Sequence, residues 1–255
     1  MSMLTACRDS SVYDLNCKYA NSDEIDTIFD LRSKETQLIE HRIITYIDSS
    51  FVIITFNASG KMVDSSYSDK KGRYQGKRRI ILEDGNLKFL SYKDGKKNGE
   101  ALLFDESGGL IKVGHFNDNK ADGEWIDYYS SGLPKKYEFL TSKGITFQRT
   151  FDSNGTIDLD RGHPLTFKKI GDGEKPVEKI IVATPPLADI RIFEFRPVDS
   201  SVVRELFPKD GIIKFHRESF LSTDSIIYLK WELYKEGTDL LQREGFGKFD
   251  GTYVW

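Results

Sequence analysis

The stretch NGEALLFDESGGL, residues 98–110, is followed by DGEWIDYYSSGL, residues 122–133, in which the same order of residue types returns. Both stretches run from Gly-Glu through an apolar or aromatic run to small polar residues and then to Gly-Leu. A fixed period of about 20–50 residues is the signature of a repeat architecture. The intervals between the turn glycines of successive copies are 25, 24, 23 and 23 residues, and these glycines are Gly60, Gly85, Gly109, Gly132 and Gly155.

Each repeat is predicted to form one β-hairpin. The polar segments before the turn glycines supply the positive φ angles that tight turns need. Flanking runs such as RIILE, residues 79–83, are short and rich in apolar residues, as strands are. We interpret a second glycine of each unit, at Gly76, Gly99 and Gly123, as the return between hairpins. Because a lone hairpin is marginally stable, successive hairpins are expected to pair into one elongated antiparallel sheet.

The best-preserved copies carry a family resemblance. The stretch YKDGKKNGEALLFDESGGLIKVGHFNDNKADGEWIDYYSSGLPKKYEF, residues 92–139, resembles the MORN-type repeat. It is similar to the bacterial variant found in YwqK-like antitoxins and in envelope lipoproteins, and the likeness extends over about residues 51–160. The resemblance implies an array of stacked hairpins and gives no reaction mechanism.

The remaining sequence predicts a mainly β protein in three parts. Residues 1–21 are expected to be an N-terminal tether, residues 22–165 the repeat domain, and residues 166–255 a small β-sandwich, because several strands follow there at short spacing. A short helix is predicted over residues 22–33, where Ser22 could cap its first turn. One helical turn is predicted within SSVVRELFPKDG, residues 200–211.

The N-terminus contains Leu4-Thr5-Ala6-Cys7, which resembles a bacterial lipobox. This resemblance implies lipid attachment at Cys7 and a location in the bacterial cell envelope, in the periplasm or at the outer membrane. Only six residues precede Cys7, fewer than a signal peptide needs, so the alternative is a chance tetrapeptide before an ordinary cysteine.

Composition and motifs argue against several function classes. The net charge of −3 does not favour a nucleic-acid partner, and no apolar run is long enough for a transmembrane helix. The sequence has no complete phosphate-binding, metalloprotease or nucleophile-elbow motif, so no catalytic residue, cofactor or metal is predicted. DSNGTIDLD, residues 152–160, offers oxygen ligands for calcium but lacks the EF-hand pattern, and a hairpin turn is the simpler interpretation.

The aromatic residues of the repeats are the candidate binding residues. Trp125 and Tyr129 alternate with Ile126 and Tyr128, which align with apolar positions of the preceding repeat. We therefore expect Ile126 and Tyr128 to face the core and Trp125 and Tyr129 to form an exposed recognition surface.

These observations predict a non-enzymatic binding or scaffolding protein that presents a repeat sheet to a protein or glycan partner. One alternative is a cytoplasmic antitoxin-like protein that binds a toxin. Another is an enzyme whose site lies in the C-terminal domain or between domains, because fold alone does not exclude catalysis.

Overall fold

The computed structural model describes residues 25–32, 39–47, 50–57, 59, 61–170, 177–196, 198–199, 201–215, 226–249 and 253–254. Every regular element in these residues is a β-strand or a turn, which confirms the mainly β fold class. The chain divides into two compact units, Met1–Asp122 and Gly123–Trp255. The expected boundary between residues 165 and 166 lies inside the second unit.

The first unit is an antiparallel meander in which each strand pairs with the next one along the chain. Its strands are β1 (Ile25–Arg32), β2 (Ile39–Ile47), β3 (Ser50–Phe56), β4 (Met62–Ser68), β5 (Tyr74–Ile81), β6 (Leu87–Lys93), β7 (Lys96–Phe104), β8 (Leu110–Asn117) and β9 (Lys120–Ala121).

The second unit contains three groups of antiparallel strands. The first group comprises β10 (Gly123–Tyr128), β11 (Pro134–Thr141), β12 (Gly144–Phe151) and β13 (Ile157–Gly162). A three-stranded sheet has β14 (Leu165–Ile170), β15 (Val177–Val182) and β18 (Ile212–Phe215) in that order. A five-stranded sheet has the order β17 (Val202–Leu206), β16 (Ala188–Phe195), β19 (Ile227–Lys235), β20 (Leu241–Phe249) and β21 (Tyr253–Val254).

The two helical predictions are wrong. Residues 25–32 form β1, which pairs with β2 through contacts such as Phe29 opposite Arg42. Residues 202–206 form β17, which pairs with β16. In both segments strand pairing with a neighbour prevails over weak local helix signals.

Five hairpin turns share one geometry, and they are residues 69–73, 82–86, 105–109, 129–133 and 152–156. In each, the first residue's N–H donates to the carbonyl of the fifth, and the fourth residue is a glycine with positive φ. This confirms the predicted turns at Gly85, Gly132 and Gly155, whereas Gly60 lies outside the described residues. The prediction for Gly109 is wrong, because Gly108 takes the positive φ of 90° in that copy.

Asp105 explains the shift from Gly109 to Gly108. The Asp105 N–H donates to the Gly109 carbonyl at 2.8 Å, which makes Gly109 the residue that closes the turn. The Asp105 carboxylate also accepts the Gly109 N–H at 2.7 Å. A Cβ at Gly109 would lie 2.6 Å from this carboxylate, so a larger residue there would have to displace the Asp105 side chain.

The returns between hairpins also differ from the prediction. Two of them are two-residue turns, at Asp94-Gly95 and at Asp118-Asn119, where both central residues have positive φ. Gly99 instead lies inside β7 with a φ of 108°, next to a register shift in its pairing with β6. A Cβ there would approach the Ser91 Cβ to 3.0 Å, so this glycine belongs to a β-bulge.

The main hydrophobic core lies in the second unit. It combines aromatic residues of β11 and β12 with aliphatic residues from the three-stranded and five-stranded sheets. Side chains with 0% exposure include Tyr137, Phe147, Leu165, Ile180, Ile192, Leu229 and Leu233. By contrast, the buried hydrophobic side chains among the described residues of the first unit are Val52, Leu90 and Ala101.

Candidate functional site

Of the two residues predicted to bind a partner, Trp125 lies within β10 and Tyr129 just after it. Trp125 lies opposite Glu138, whereas Ile126 lies opposite the fully buried Tyr137 and packs against the core. Tyr129 follows the strand and begins the turn to β11. The core-facing direction of Ile126 is therefore as expected.

Exposure does not distinguish the predicted binding pair from the predicted core pair. Trp125, Ile126, Tyr128 and Tyr129 are all half-buried. The Tyr129 hydroxyl donates to the Phe151 carbonyl at 2.8 Å, and the Trp125 indole nitrogen is shielded from solvent. The polar ends of both rings therefore face the protein, which reduces what they can offer to a partner. Cys7, the predicted lipidation site, lies outside the described residues.

The suggested calcium loop is a hairpin turn. The Asp152 carboxylate accepts the backbone N–H groups of Asn154 and Thr156, both at 2.9 Å. These hydrogen bonds hold the pKa of Asp152 below its usual value. Asp160, at the other end of the segment, is engaged by arginines. Among the residues the structure describes, no group of three or more histidine, cysteine or acidic residues is arranged to hold a metal ion.

A buried ionic cluster links β12 and β13 to β20. The Arg149 side chain has 0% exposure and donates to the Asp160 carboxylate at 2.5 Å and to the Gln242 amide oxygen at 2.9 Å. The same carboxylate accepts from Arg243 at 2.7 Å, and Arg243 also donates to the Gly162 carbonyl. One carboxylate thus serves two guanidinium groups inside the second unit, which makes the cluster a structural feature of that unit.

A second polar contact joins the buried Tyr137 to Glu124 at the start of β10. The Tyr137 hydroxyl donates to the Glu124 carboxylate at 2.8 Å. Burial, and then the negative charge of Glu124, raise the pKa of Tyr137. The phenol therefore remains a hydrogen-bond donor rather than a proton carrier near neutral pH.

The five-stranded sheet carries a partly exposed aromatic cluster, which we call the aromatic face; it consists of the half-buried Phe195 and Tyr228 and the exposed Phe246. Their neighbours Glu194 and Leu229 are 3% and 0% exposed, so strand alternation turns the aromatic rings to the opposite side. The Phe195 ring centroid lies 5.3 Å from that of Phe246 and 5.9 Å from that of Tyr228. Phe246 is 59% exposed, so most of its ring is open to solvent.

An ion-paired lysine lies at the rim of the aromatic face. The Lys230 Nζ is 5.8 Å from the Phe246 ring centroid and contacts Glu232 at 2.5 Å and Glu244 at 2.8 Å. Hydrogen bonds to these two carboxylates raise the pKa of Lys230 to about 12. The surface thus has an apolar aromatic centre with a charged rim, the usual anatomy of a recognition patch.

The first unit has an open groove of about 350 Å³. Its apolar side is formed by Ile81, Leu87, Phe89 and Phe104, and charged residues surround it. The groove does not bring together a nucleophile and a base. No helix in the described part of the chain has the length and apolarity needed to cross a membrane.

Comparison with known proteins gives no assignment. No model of a known protein family matches this chain, and no curated protein matches it. Its function is therefore argued from its own residues.

The sequence contained an indication of the aromatic face. In DIRIFEFRP, residues 189–197, isoleucines alternate with Phe193 and Phe195, so this strand is apolar on both sides. In SIIYLKWELYKE, residues 225–236, the same alternation places Tyr228 on one face of the strand and the two leucines on the other. When a strand is apolar on both faces, the face that does not pack on the core is either covered by another part of the chain or exposed to solvent. The prediction of binding residues did not consider such an exposed face.

Proposed function

We propose that the protein is a non-enzymatic binding or scaffolding protein whose sheets present aromatic residues to a protein or glycan partner. The observation that carries the proposal is the aromatic face of the five-stranded sheet, with Phe246 59% exposed. Aromatic rings held rigidly by strands offer a large contact area at low entropic cost. The charged rim around Lys230 supplies orientation and specificity.

The proposal includes a finer description of the fold. The hairpins of residues 51–160 are taken as a MORN-like array, and the three-stranded and five-stranded sheets as a small β-sandwich. The glycine turns at a spacing of 23 or 24 residues support the first assignment. The core shared by the two smaller sheets supports the second.

The proposal also places the protein in the bacterial cell envelope, attached through a lipid at Cys7. The residues Leu4 to Cys7 and the polar segment that follows them support it. Metabolic labelling with a fatty-acid analogue should label the product of the native gene and fail to label Cys7→Ala. Equal labelling of the two proteins, or none in either, would remove the lipid anchor and favour the cytoplasmic alternative.

Substitution of Phe246 tests the binding proposal. Phe246→Ala should weaken partner binding at least about tenfold, as expected for an exposed hot-spot ring. The melting temperature should change little, because this ring is mostly exposed. Phe207→Ala is the matched control, since Phe207 is 77% exposed and directly follows β17, outside the aromatic face.

The pair predicted from the sequence, Trp125 and Tyr129, is tested in the same assay. If Trp125 and Tyr129 form the recognition surface, Trp125→Ala with Tyr129→Ala abolishes binding while Phe246→Ala does not. If the wild-type protein binds a partner and neither the double variant nor Phe246→Ala binds it more weakly, both the Trp125–Tyr129 surface and the aromatic face are excluded as the binding site.

A further inference from the structure

One margin of the first unit is strongly basic. The turns of residues 69–73, 93–97 and 117–120 lie on the same side of the meander, because each joins an even-numbered strand to the next. We call these three turns the basic margin. They carry seven cations against three carboxylates, which leaves a net charge of +4; the cations are Lys70, Lys71, Arg73, Lys93, Lys96, Lys97 and Lys120, and the carboxylates are Asp69, Asp94 and Asp118.

The carboxylates of the basic margin are already engaged in joining successive turns. Arg73 contacts Asp69 at 2.6 Å within its own turn and Asp94 of the next turn at 3.1 Å. Lys96 contacts Asp118 of the third turn at 3.1 Å. The turns are therefore held in a row by these ion pairs and by backbone bonds such as Asn119 N–H to the Lys97 carbonyl at 2.9 Å.

The cations left over form an exposed row. Lys70, Lys71, Lys93 and Lys120 are exposed and have no described carboxylate within 4 Å, although the charge of Lys93 helps to lower the pKa of Asp118. Successive turns on one margin of a meander are two strands apart, which is about 10 Å, so the row extends about 20 Å. A linear partner with regularly spaced negative charges can contact all three turns at once.

Neighbouring rings and turn residues favour one class of anion. Tyr74 and Tyr92 pack on each other at 5.2 Å, and Phe116 lies beneath Lys97 at 5.1 Å, so these rings are occupied rather than available for stacking with bases. The turns themselves contain no apolar side chain that could enter a bilayer. Most of the row is lysine, which binds anions as a hydrated point charge rather than through a bidentate fork.

We propose that the basic margin binds an anionic polysaccharide, whose carboxylate or sulfate groups contact the lysines of successive turns. The opposite margin cannot serve the same purpose. Its turns, residues 57–61, 82–86 and 105–109, carry one cation against four carboxylates, which are Glu83, Asp84, Asp105 and Glu106. The polysaccharide therefore lies along one margin only, and this site is independent of the aromatic face.

Heparin oligosaccharides, with neutral dextran for comparison, are the probes for this site. A triple variant with Lys70→Gln, Lys71→Gln and Lys93→Gln should bind heparin about tenfold more weakly, or weaker still, at 0.15 M salt. Each exposed lysine contact contributes at most roughly fivefold to the affinity. In a plot of the logarithm of the binding constant against the logarithm of the salt concentration, the negative slope should become shallower by about one for each lysine removed. Calorimetry measures both, and unchanged melting temperatures show that the variants are folded.

A second triple variant, Lys61→Gln with Lys209→Gln and Lys214→Gln, removes the same charge away from the basic margin and should bind heparin like the wild type. An equal loss in this control, or no heparin binding by the wild-type protein, overturns the proposal. Tighter binding to polyglutamate, to a single-stranded oligonucleotide or to vesicles of anionic lipid overturns the choice of polysaccharide. Phe246→Ala should leave heparin affinity unchanged, so failure here is distinguishable from failure of the aromatic face.

Discussion

Asp160→Asn is expected to destabilise the second unit severely, because it removes the carboxylate that Arg149 and Arg243 share. The Arg149 side chain is 0% exposed and Asp160 is 14% exposed, so the pair lies well away from solvent. Removing one partner of a buried ion pair costs about 3–5 kcal/mol, since the other charge stays buried without compensation. Arg243 is 29% exposed and can turn to water, which places the expected loss near the lower end, at about 3 kcal/mol.

Tryptophan fluorescence during urea unfolding measures this loss. All three tryptophans, Trp125, Trp231 and Trp255, belong to the second unit, so the signal reports on that unit. The Arg243 guanidinium carbon lies 5.4 Å from the Trp231 ring centroid, close enough for the cluster to influence the signal directly. With a urea dependence of about 2 kcal/mol/M, the midpoint should fall by about 1.5 M.

Two further variants separate the buried charge from ordinary effects of substitution. Asp239→Asn breaks an exposed pair with Arg191, in which Asp239 is 87% exposed, and should leave the midpoint unchanged. Arg149→Met removes the buried charge together with its need for a partner and should cost less than Asp160→Asn. Similar midpoints for Asp160→Asn and Asp239→Asn, or a larger loss in Arg149→Met, would refute the reasoning.

Three more changes test particular features of the second unit. Gly132→Val should lower the free energy of unfolding by about 1–3 kcal/mol, because its φ is 83° although a Cβ would meet nothing within 4 Å; an unchanged urea midpoint would contradict this. Gly245→Ala would place a Cβ 2.4 Å from the Trp231 ring and should cost about 1–3 kcal/mol, with a shifted tryptophan emission maximum as the sign of repacking. Tyr137→Phe should cost about 1 kcal/mol through loss of the hydrogen bond to Glu124, and a stabilised variant would show that this bond is dispensable.

The hairpin repeat could be predicted from the sequence because its turns depend on local chemistry. An aspartate followed three positions later by glycine occurs in the turns that end β7 and β12, and a positive φ is rarely adopted by any other residue type than glycine. The doubled Gly108-Gly109 left two candidates for the same role. The Asp105 hydrogen bond to Gly109 decides between them, and such closure is not encoded in glycine spacing.

The C-terminal strands were also predictable, but their partners were not. Several strands at short spacing are predicted for residues 166–255, and β15, β16, β18, β19 and β20 lie there. Arg149 contacts Gln242, which is 93 residues away along the chain, and Asp160, which is 11 residues away. No local sequence pattern indicates either contact. The same reason explains why the aromatic face was overlooked, since Phe195 and Phe246 come together only through the pairing of β16 and β20 with β19.

Site-specific photocrosslinking from Phe246 tests the proposed binding role most directly. Benzoylphenylalanine at position 246 places the reactive group in the aromatic face, and the same residue at position 207 serves as the exposed control. The account predicts that position 246, and not position 207, forms a discrete crosslinked species in cells that carry the full-length protein. No crosslinked species from position 246, or the same species from both positions, would contradict it.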